Sequence, residues 1–253
     1  MEDKNPIQVA DRLFQTMELL ADNKTMGLME ISKSLGLNKS TVHRVLNSLI
    51  YMGYVKQNAE NGKYELTFKV VDIANKMMNK VDVVSIVRPY LRRLMEQTNE
   101  TVHFVELDGI EAVYIDKVES YTNTIQMVSR IGSRIPLYRS GVGKAMAAEM
   151  REQEIKEIWE SSSIVKMTPY TITDYDEFLR CLKDIRERGY ALDNEENETG
   201  VRCIAASLTG RGKLAHYAFS ISAPVGRMDN ARILELSNYV LQTKEQMIKE
   251  LPL

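Results

Sequence analysis

The chain has few of the residues that would let covalent cross-links or reactive side chains define it. Two cysteines, Cys181 and Cys203, stand isolated in 253 residues. Without any CxxC spacing they indicate neither a zinc ribbon nor a disulfide framework, and two reduced thiols are expected. The three histidines, His43, His103 and His216, are too scattered to compose a metal site or a catalytic triad from spacing alone. No apolar stretch approaches the roughly 18 residues that span a bilayer, and the polar N-terminus lacks the apolar run of a secretory signal. A cytoplasmic protein with no membrane partner is therefore expected. An excess of charge of one sign is missing too. The 33 basic residues nearly balance 35 acidic ones, for a net charge of −2, so any basic surface has to be local.

Such a local surface lies in residues 25–66. The pattern predicts two short helices joined at Leu35-Gly36-Leu37, with Gly36 supplying the tight turn. Met29, Ile31 and Leu35 give the first its packing face. Asn38 is placed to cap the second helix with its side chain. There Val42, Val45, Leu46, Leu49 and Ile50 form a buried stripe. Lys39, Ser40, Thr41, His43, Arg44, Asn47 and Ser48 are left on the outer face, all donors and acceptors. Residues 54–57 and 63–66 then flank a loop ending in Asn61-Gly62, a dipeptide that tolerates positive φ, so a β-hairpin follows as a wing. Between residues 33 and 63 the charges are Lys33, Lys39, Arg44, Lys56 and Lys63 against Glu60 alone. Phosphate neutralisation drives most non-specific DNA affinity, so this segment reads as a DNA-binding winged helix. A solvated helix pair is the competing reading.

With 44% hydrophobic residues the chain is globular, and a second domain of ordinary size must follow the head. We divide it into a winged helix-turn-helix over 1–66, a linker helix over 67–82 and a ligand-binding domain over 83–253. The linker is apolar enough for packing against a partner subunit or within the chain. Beyond it the spacing predicts a helix over 83–98 and a hairpin of 101–107 with 111–118 around Asp108-Gly109. Helices at 141–149, 153–160 and 174–188 follow, then strands at 190–194, 202–208 and 214–222, and a final helix over 229–249. Short, locally connected strands make this an α+β two-domain chain whose C-terminal α/β domain carries a curved, mainly antiparallel sheet.

Two features of that domain suggest ligand chemistry. In strand 214–222, Ala215, Tyr217, Phe219 and Ile221 share the core face. Ser220 and Ser222 fall on a partly polar face, their hydroxyls about 7 Å apart, a spacing suited to a small carboxylate or keto acid. Gly141-Val142-Gly143 opens a helix whose free amides are able to receive a carboxylate. Both patterns also occur for structural reasons alone.

The segments KSTVHRVL, SRIGSRIPLYRSGVGKAMAA and GYALDNEENETGVRCIAASL, the last followed by FSISAP, are similar to the IclR family of bacterial transcription regulators. The resemblance covers essentially the whole chain. It implies an N-terminal winged helix and a GAF-like effector domain, acting as a homodimer or dimer of dimers on palindromic double-stranded operator DNA, with repression the expected action and no cofactor. It also implies that a small organic acid is held by Gly141 and Val142, Asp193, Cys203, Ser220 and Ser222, with Met127, Ile135 and Val201 as pocket wall. Val142 departs from the family, where a smaller residue is common, a change expected either to narrow the pocket or to push the ligand toward the serines. SRIGSRIPLY and GVRCIA look most similar to the branch sensing keto-deoxy sugar acids. In the head, the outer face of the second helix places Ser40, Thr41, His43 and Arg44 toward base edges in the major groove, with Asn47 as a further DNA contact, and Lys39, Lys56 and Lys63 on phosphates.

The alternative is a small-molecule-binding enzyme with a fused helical module. It gains little from the residues. The Gly143-Lys144 pair is no P-loop, because Tyr138 stands where a glycine is required and Ala145 where a serine or threonine would hold magnesium. Cys203 with His103 or His216 and Asp193 forms a constellation without demonstrated geometry.

Overall fold

The computed structural model describes residues 5, 7–78, 82–123, 127–209 and 216–251. They fall into two compact units, Met1–Val81 and Asp82–Leu253.

The first unit opens with α1 (Gln8–Asn23), which the sequence reading did not anticipate. Leu13, Met17 and Leu20 recur at helical spacing and pack into the same small core as Ile31, Val42, Leu46 and Leu49. Next come α2 (Leu28–Leu35) and α3 (Lys39–Tyr51). Gly36 between them adopts the left-handed conformation, φ +63°, which any Cβ would penalise. Three expectations need correction here. Asn38 occupies the N-cap of α3 but makes no side-chain cap bond, and the first turn it opens is exposed, so its free amides are open to solvent. Met29 is exposed, since the inner face of the eight-residue α2 is filled by the buried Ile31 with Leu28 and Leu35 beside it. Ile50 lies at the margin of the α3 stripe and is exposed as well.

The wing is β1 (Val55–Gln57) paired antiparallel with β2 (Tyr64–Leu66). Tyr64 also exchanges both backbone bonds with Met26, at 3.0 and 2.8 Å, so the strand segment before α2 pins the wing to the helices. Gly62 takes φ +67°, and Asn58 accepts amide bonds from Glu60 and Asn61. Helix α4 (Lys69–Met78) follows, and residues 79–81 of the expected linker lie outside the described set. The start of α4 is tied to the head: Lys69 Nζ donates to the Met52 carbonyl at 2.6 Å and sits 4.6 Å from the Tyr54 ring centroid.

In the second unit α5 (Asp82–Thr98) leads into β3 (Thr101–Asp108) and β4 (Glu111–Val118), joined through Gly109 at φ +64°. A short strand that the sequence reading missed, β5 (Arg134–Pro136), precedes a single 3-10 turn, Leu137–Arg139. Then come α6 (Gly141–Ala147), α7 (Glu152–Ser161) and α8 (Tyr175–Arg188). Next are β6 (Ala191–Asn194), β7 (Val201–Leu208), β8 (Tyr217–Pro224) and α9 (Asn230–Glu250). The expected strand 214–222 thus runs to Pro224, and its Leu214 and Ala215 lie outside the described residues. The sheet order is β5-β4-β3-β8-β7-β6, and every neighbouring pair is antiparallel.

Both faces of this sheet are covered, so the partly polar face expected for β8 is itself packed against helices. Phe104, Phe219 and Ile221 pack with Leu236 and Val240 of α9 on one side. On the other, Val105, Ala205 and Ala218 meet Met146 of α6 and Phe178 and Leu182 of α8. Large and small residues alternate along β8, so the helix side of the sheet carries Ala218, Ser220 and Ser222. These short side chains let α6 come close, and every residue of α6 is buried.

Gly143 shows how close that approach is. A Cβ built there would stand 2.3 Å from Leu137 Cα and 2.5 Å from the Leu137 carbonyl oxygen. Glycine to alanine inside a helix ordinarily stabilises, but here backbone would have to shift. Gly143→Ala should therefore lower unfolding stability by about 3 kcal/mol. Gly141→Ala, whose Cβ meets nothing nearer than 3.4 Å, should cost far less. Urea denaturation of the two variants side by side checks this, and equal stabilities would refute the packing argument.

Candidate functional site

In the first unit the α3 helix buries Val42, Val45, Leu46 and Leu49. Lys39, Ser40, His43, Arg44 and Asn47 are exposed and Thr41 is half-buried. Asn47 Nδ2 donates to His43 Nδ1 across one turn at 3.3 Å, which leaves Nε2 of the ring facing outward as a donor. Among the described residues Lys39, Arg44 and Lys63 form no ion pair, whereas Lys56 of the wing is bonded to Glu65 at 3.0 Å. Lys39 and Arg44 on α3 and Lys63 at the wing loop are thus among the unpaired cations of the head, and partner anions for them would be external.

The second unit holds a cavity of about 440 Å³ between the helix side of the sheet and α6. It brings together all nine residues singled out in the C-terminal domain: Met127, Ile135, Gly141, Val142, Asp193, Val201, Cys203, Ser220 and Ser222. Sheet register explains why. Asp193 pairs with Cys203 and Cys203 with Ser222, so the three lie in one row across β6, β7 and β8, spanning about 10 Å at normal strand spacing. Ser220 stands two positions back along β8, opposite Ala205 on one side and His103 on the other. Gly141 lets α6 start against this row: a Cβ there would meet Asp193 N and Ala205 Cβ at 3.4 Å. Ser140 caps α6, its Oγ accepting from the Gly143 amide at 3.1 Å, and leaves the Gly141 and Val142 amides for other acceptors.

Several lining groups were not among the ligand-site residues of the sequence reading, where His103 appears only in the enzymatic alternative with Cys203 and Asp193. His103 and Tyr114 come from β3 and β4, Ser129 from the segment before β5, and Arg139 from the 3-10 turn. His103 bonds Ser222 Oγ through Nδ1 at 3.2 Å and Ser129 Oγ through Nε2 at 2.7 Å. Only the pairing of β3 with β8, 119 residues away, could have shown this. Arg139 did carry a signal, as a charged residue inside the quoted SRIGSRIPLYRSGVGKAMAA block. Lys144 also had a role that spacing concealed. Its side chain is 1% exposed and ion-paired with Glu196, itself 8% exposed, in the turn after β6.

These surroundings set the protonation states. Burial, and then the nearby Lys117, push the His103 pKa down to about 3, so the imidazole is neutral. Burial pushes the Cys203 thiol well above its ordinary range, with Asp193 adding to the effect. Burial also raises Asp193 to about 7, against the pull of Lys144 and with Glu196 pushing the same way as burial. A nucleophilic cysteine needs a depressed pKa and a basic partner, and this trio has the opposite properties. Among the described residues no group of three His, Cys, Asp or Glu side chains is placed to hold a metal ion.

The model of the IclR helix-turn-helix domain matches residues 9–59 and that of the bacterial transcriptional regulator IclR C-terminal domain matches 75–248. The chain belongs to the IclR family of transcriptional regulators. It is 36% identical over 240 residues to the HTH-type transcriptional regulator XynR of Escherichia coli, with 94% of each chain covered. It is 36% identical to KdgR of the same organism, over 92% of this chain and 89% of that one. The crystal structure of Thermotoga maritima IclR superposes with a TM-score of 0.85 at 29% identity, covering 96% of this chain and 98% of the other. The chain is therefore a transcriptional regulator and not an enzyme, with the winged helix followed by the antiparallel α/β domain typical of IclR structures.

Asp193 gives this site a measurable pH signature. Its folded pKa of about 7 lies above the ordinary 3.8, so the folded state favours the protonated acid. That contribution is complete below the lower value and is lost as pH rises through the upper one. An Asp193→Asn variant would keep an oxygen to accept the Glu196 amide, now 2.8 Å from Asp193 Oδ1, without the titration. Between about pH 4.5 and about pH 7.5, wild type should lose stability relative to Asp193→Asn. Parallel urea midpoints for the two proteins across that range would contradict the shift.

Proposed function

We propose that this IclR-family regulator represses transcription from a palindromic operator, and that a small organic acid bound in the C-terminal cavity changes its hold on DNA. The observation that carries the reading is the row Asp193–Cys203–Ser222, with Ser220 beside it, facing a 440 Å³ cavity. Hydroxyls, a thiol and a carboxyl that titrates near neutrality suit an oxygen-rich ligand. The volume accommodates an acid of five or six carbons. Similarity to KdgR and XynR over nearly the whole chain, together with the SRIGSRIPLY and GVRCIA segments, favours a keto-deoxy sugar acid.

Operator symmetry requires at least two heads. Phe68, just before α4, is 87% exposed, and Val71 and Ile73 on the helix are also exposed. Such apolar side chains support a homodimer, or a dimer of dimers, in which they meet a second copy. The effector acts through its differential affinity for two arrangements of the heads, since equal affinity would shift nothing. On the head, Arg44 with Ser40, Thr41, His43 and Asn47 reads base edges, while Lys39, Lys63 and Lys56 hold phosphates, Lys56 exchanging its Glu65 partner.

Binding to the DNA upstream of the protein's own gene and to random duplex, followed by fluorescence anisotropy, separates the two kinds of contact. Arg44→Ala should weaken operator binding about 10-fold with little effect on random DNA. Lys63→Ala should weaken both and reduce the salt slope by about one. Equal losses on both duplexes for Arg44→Ala would remove its base-reading role.

The pocket is tested by calorimetry with keto and hydroxy acids. A Ser220→Ala/Ser222→Ala double variant should bind at least about 10-fold more weakly than wild type. If the two proteins bind with the same affinity, the serines do not hold the ligand.

A further inference from the structure

The polar row contains no cation. Asp193 is an acid, Cys203, Ser220 and Ser222 are neutral, and His103 beside them is an uncharged imidazole. Lys144, directly behind the row, is taken up by Glu196. A carboxylate seated on this row would approach the Asp193 carboxyl with no opposite charge to offset the loss of its hydration. Positive charge reaches the cavity elsewhere.

Two arginines line it, and they differ sharply. Arg134 is exposed and paired with both Asp108 and Glu111. Arg139 is half-buried and forms no ion pair or hydrogen bond among the described residues. Its Nε is buried without an acceptor, and its only contact of note is the Tyr138 ring, 6.0 Å from Cζ. The other half-buried arginines of this unit are all engaged. Arg188 donates to the Tyr190 carbonyl at 2.7 Å, and Arg202, although its Nε is likewise buried without an acceptor, donates through both terminal nitrogens, to Met228 and Asn230. Arg227 grips Glu100 with two bonds of 2.7 and 2.8 Å, and Arg232 holds Glu235 and the Thr98 carbonyl. Packing does not require a guanidinium at position 139. The backbone there is fixed independently, by the 3-10 turn and by the Tyr138 hydroxyl bonded to both the amide and the carbonyl of Val165.

We propose that Arg139 is the specificity-determining counter-ion of the cavity. Its guanidinium receives the carboxylate of the effector, and Asp193, Cys203, Ser220 and Ser222 are left to the effector's hydroxyl and keto oxygens. The inference rests on the cavity being the effector site and adds the orientation of the ligand within it. A planar fork with an unmet buried donor matches a carboxylate better than any other cation would. The favoured ligand is a polyhydroxy or keto acid, because a two-carbon acid uses its oxygens at Arg139 and leaves the row without partners.

The test is calorimetry on the full-length protein with 2-keto-3-deoxy-D-gluconate, D-galacturonate, D-gluconate and pyruvate, and with D-galacturonate methyl ester as a neutral congener. Wild type should bind a sugar acid and prefer galacturonate to its ester. Arg139→Gln should lose ~30-fold in affinity for the acid and under about threefold for the ester, with Arg139→Lys in between. Thermal melting of each variant shows that it folds. Unchanged acid affinity in Arg139→Gln, or equal losses of acid and ester, overturns the role of Arg139. The Ser220→Ala/Ser222→Ala variant separates that failure from failure of the site itself. If it binds as weakly as expected, the cavity stands and only the orientation is wrong. If it too binds unchanged, or wild type binds none of the acids, both readings fall.

Discussion

The C-terminal unit is organised around one buried ion pair, Lys144 with Glu196. Removing one partner of such a pair typically costs about 3–5 kcal/mol, because it strands the other charge in a low-dielectric interior. Here the pair joins α6 to the turn between β6 and β7, the two elements whose approach shapes the cavity. That turn is further restrained by the hydroxyls of Thr168 and Thr171, which donate to the Glu195 and Glu196 carbonyls at 2.7 and 2.6 Å. Glu195 is held in the left-handed region at φ +62°, where a side chain is disfavoured, and Gly200 supplies the other left-handed position of the turn, φ +85°, without that cost. Asp193 inherits its state from this arrangement. Burial dominates, Lys144 opposes it, and Glu196 acts in the same direction as burial.

The sheet supplies the second constraint. Because both its faces are covered, every side chain on the helix side must either pack or line the cavity, and small residues decide which. Ala205 and Ala218 permit close packing. Ser220 and Ser222 occupy the same face of β8 but bring oxygens, and burying those oxygens is tolerable only with partners. Ser222 finds His103 and Cys203. His103 in turn bonds Ser129, and Lys117 holds the Met127 and Ser129 carbonyls at 2.6 and 3.0 Å. The cavity wall at residues 127–129 is thereby fastened to the sheet through polar contacts, which a ligand touching Ser222 is positioned to redistribute.

Much of this was legible from residues, and the exceptions have physical reasons. Gly36, Gly62, Gly109 and Gly189 mark backbone positions with positive φ, and local rules find such turns. The α3 stripe and the β3–β4 hairpin were equally readable, being patterns set by neighbours in sequence. Helix α1 was missed although Leu13, Met17 and Leu20 carry its period, because apolar residues that stay exposed, Val9 and Phe14, interrupt the pattern of one buried face. The three-residue β5 is too short to show a period at all. His103 and Glu196 depend on contacts across 119 and 52 positions, and no local rule reaches that far. The nine cavity residues named in advance came from family resemblance more than from chemistry. Taken alone, Asp193 and Cys203 read as a turn acid and a small buried hydrophobe.

Unpaired positive charge is the property that the two units share. On the head, Lys39, Arg44 and Lys63 lack internal partners, so their hydration is available to be exchanged for phosphate, with released counter-ions supplying the driving force. In the C-terminal unit, charge inside the fold is nearly all paired: Lys144 with Glu196, Arg227 with Glu100, Arg88 with the buried Asp116 at 3.3 Å. Arg139 is the exception, and it lines the cavity. An unpaired half-buried guanidinium raises the free energy of the unliganded state, and an anion that satisfies it gains affinity by removing that penalty. The same relief stabilises whichever arrangement of the chain presents Arg139 to the ligand. A site built this way therefore need not be large to act as a switch; it needs only a donor that one arrangement leaves unsatisfied and the ligand completes.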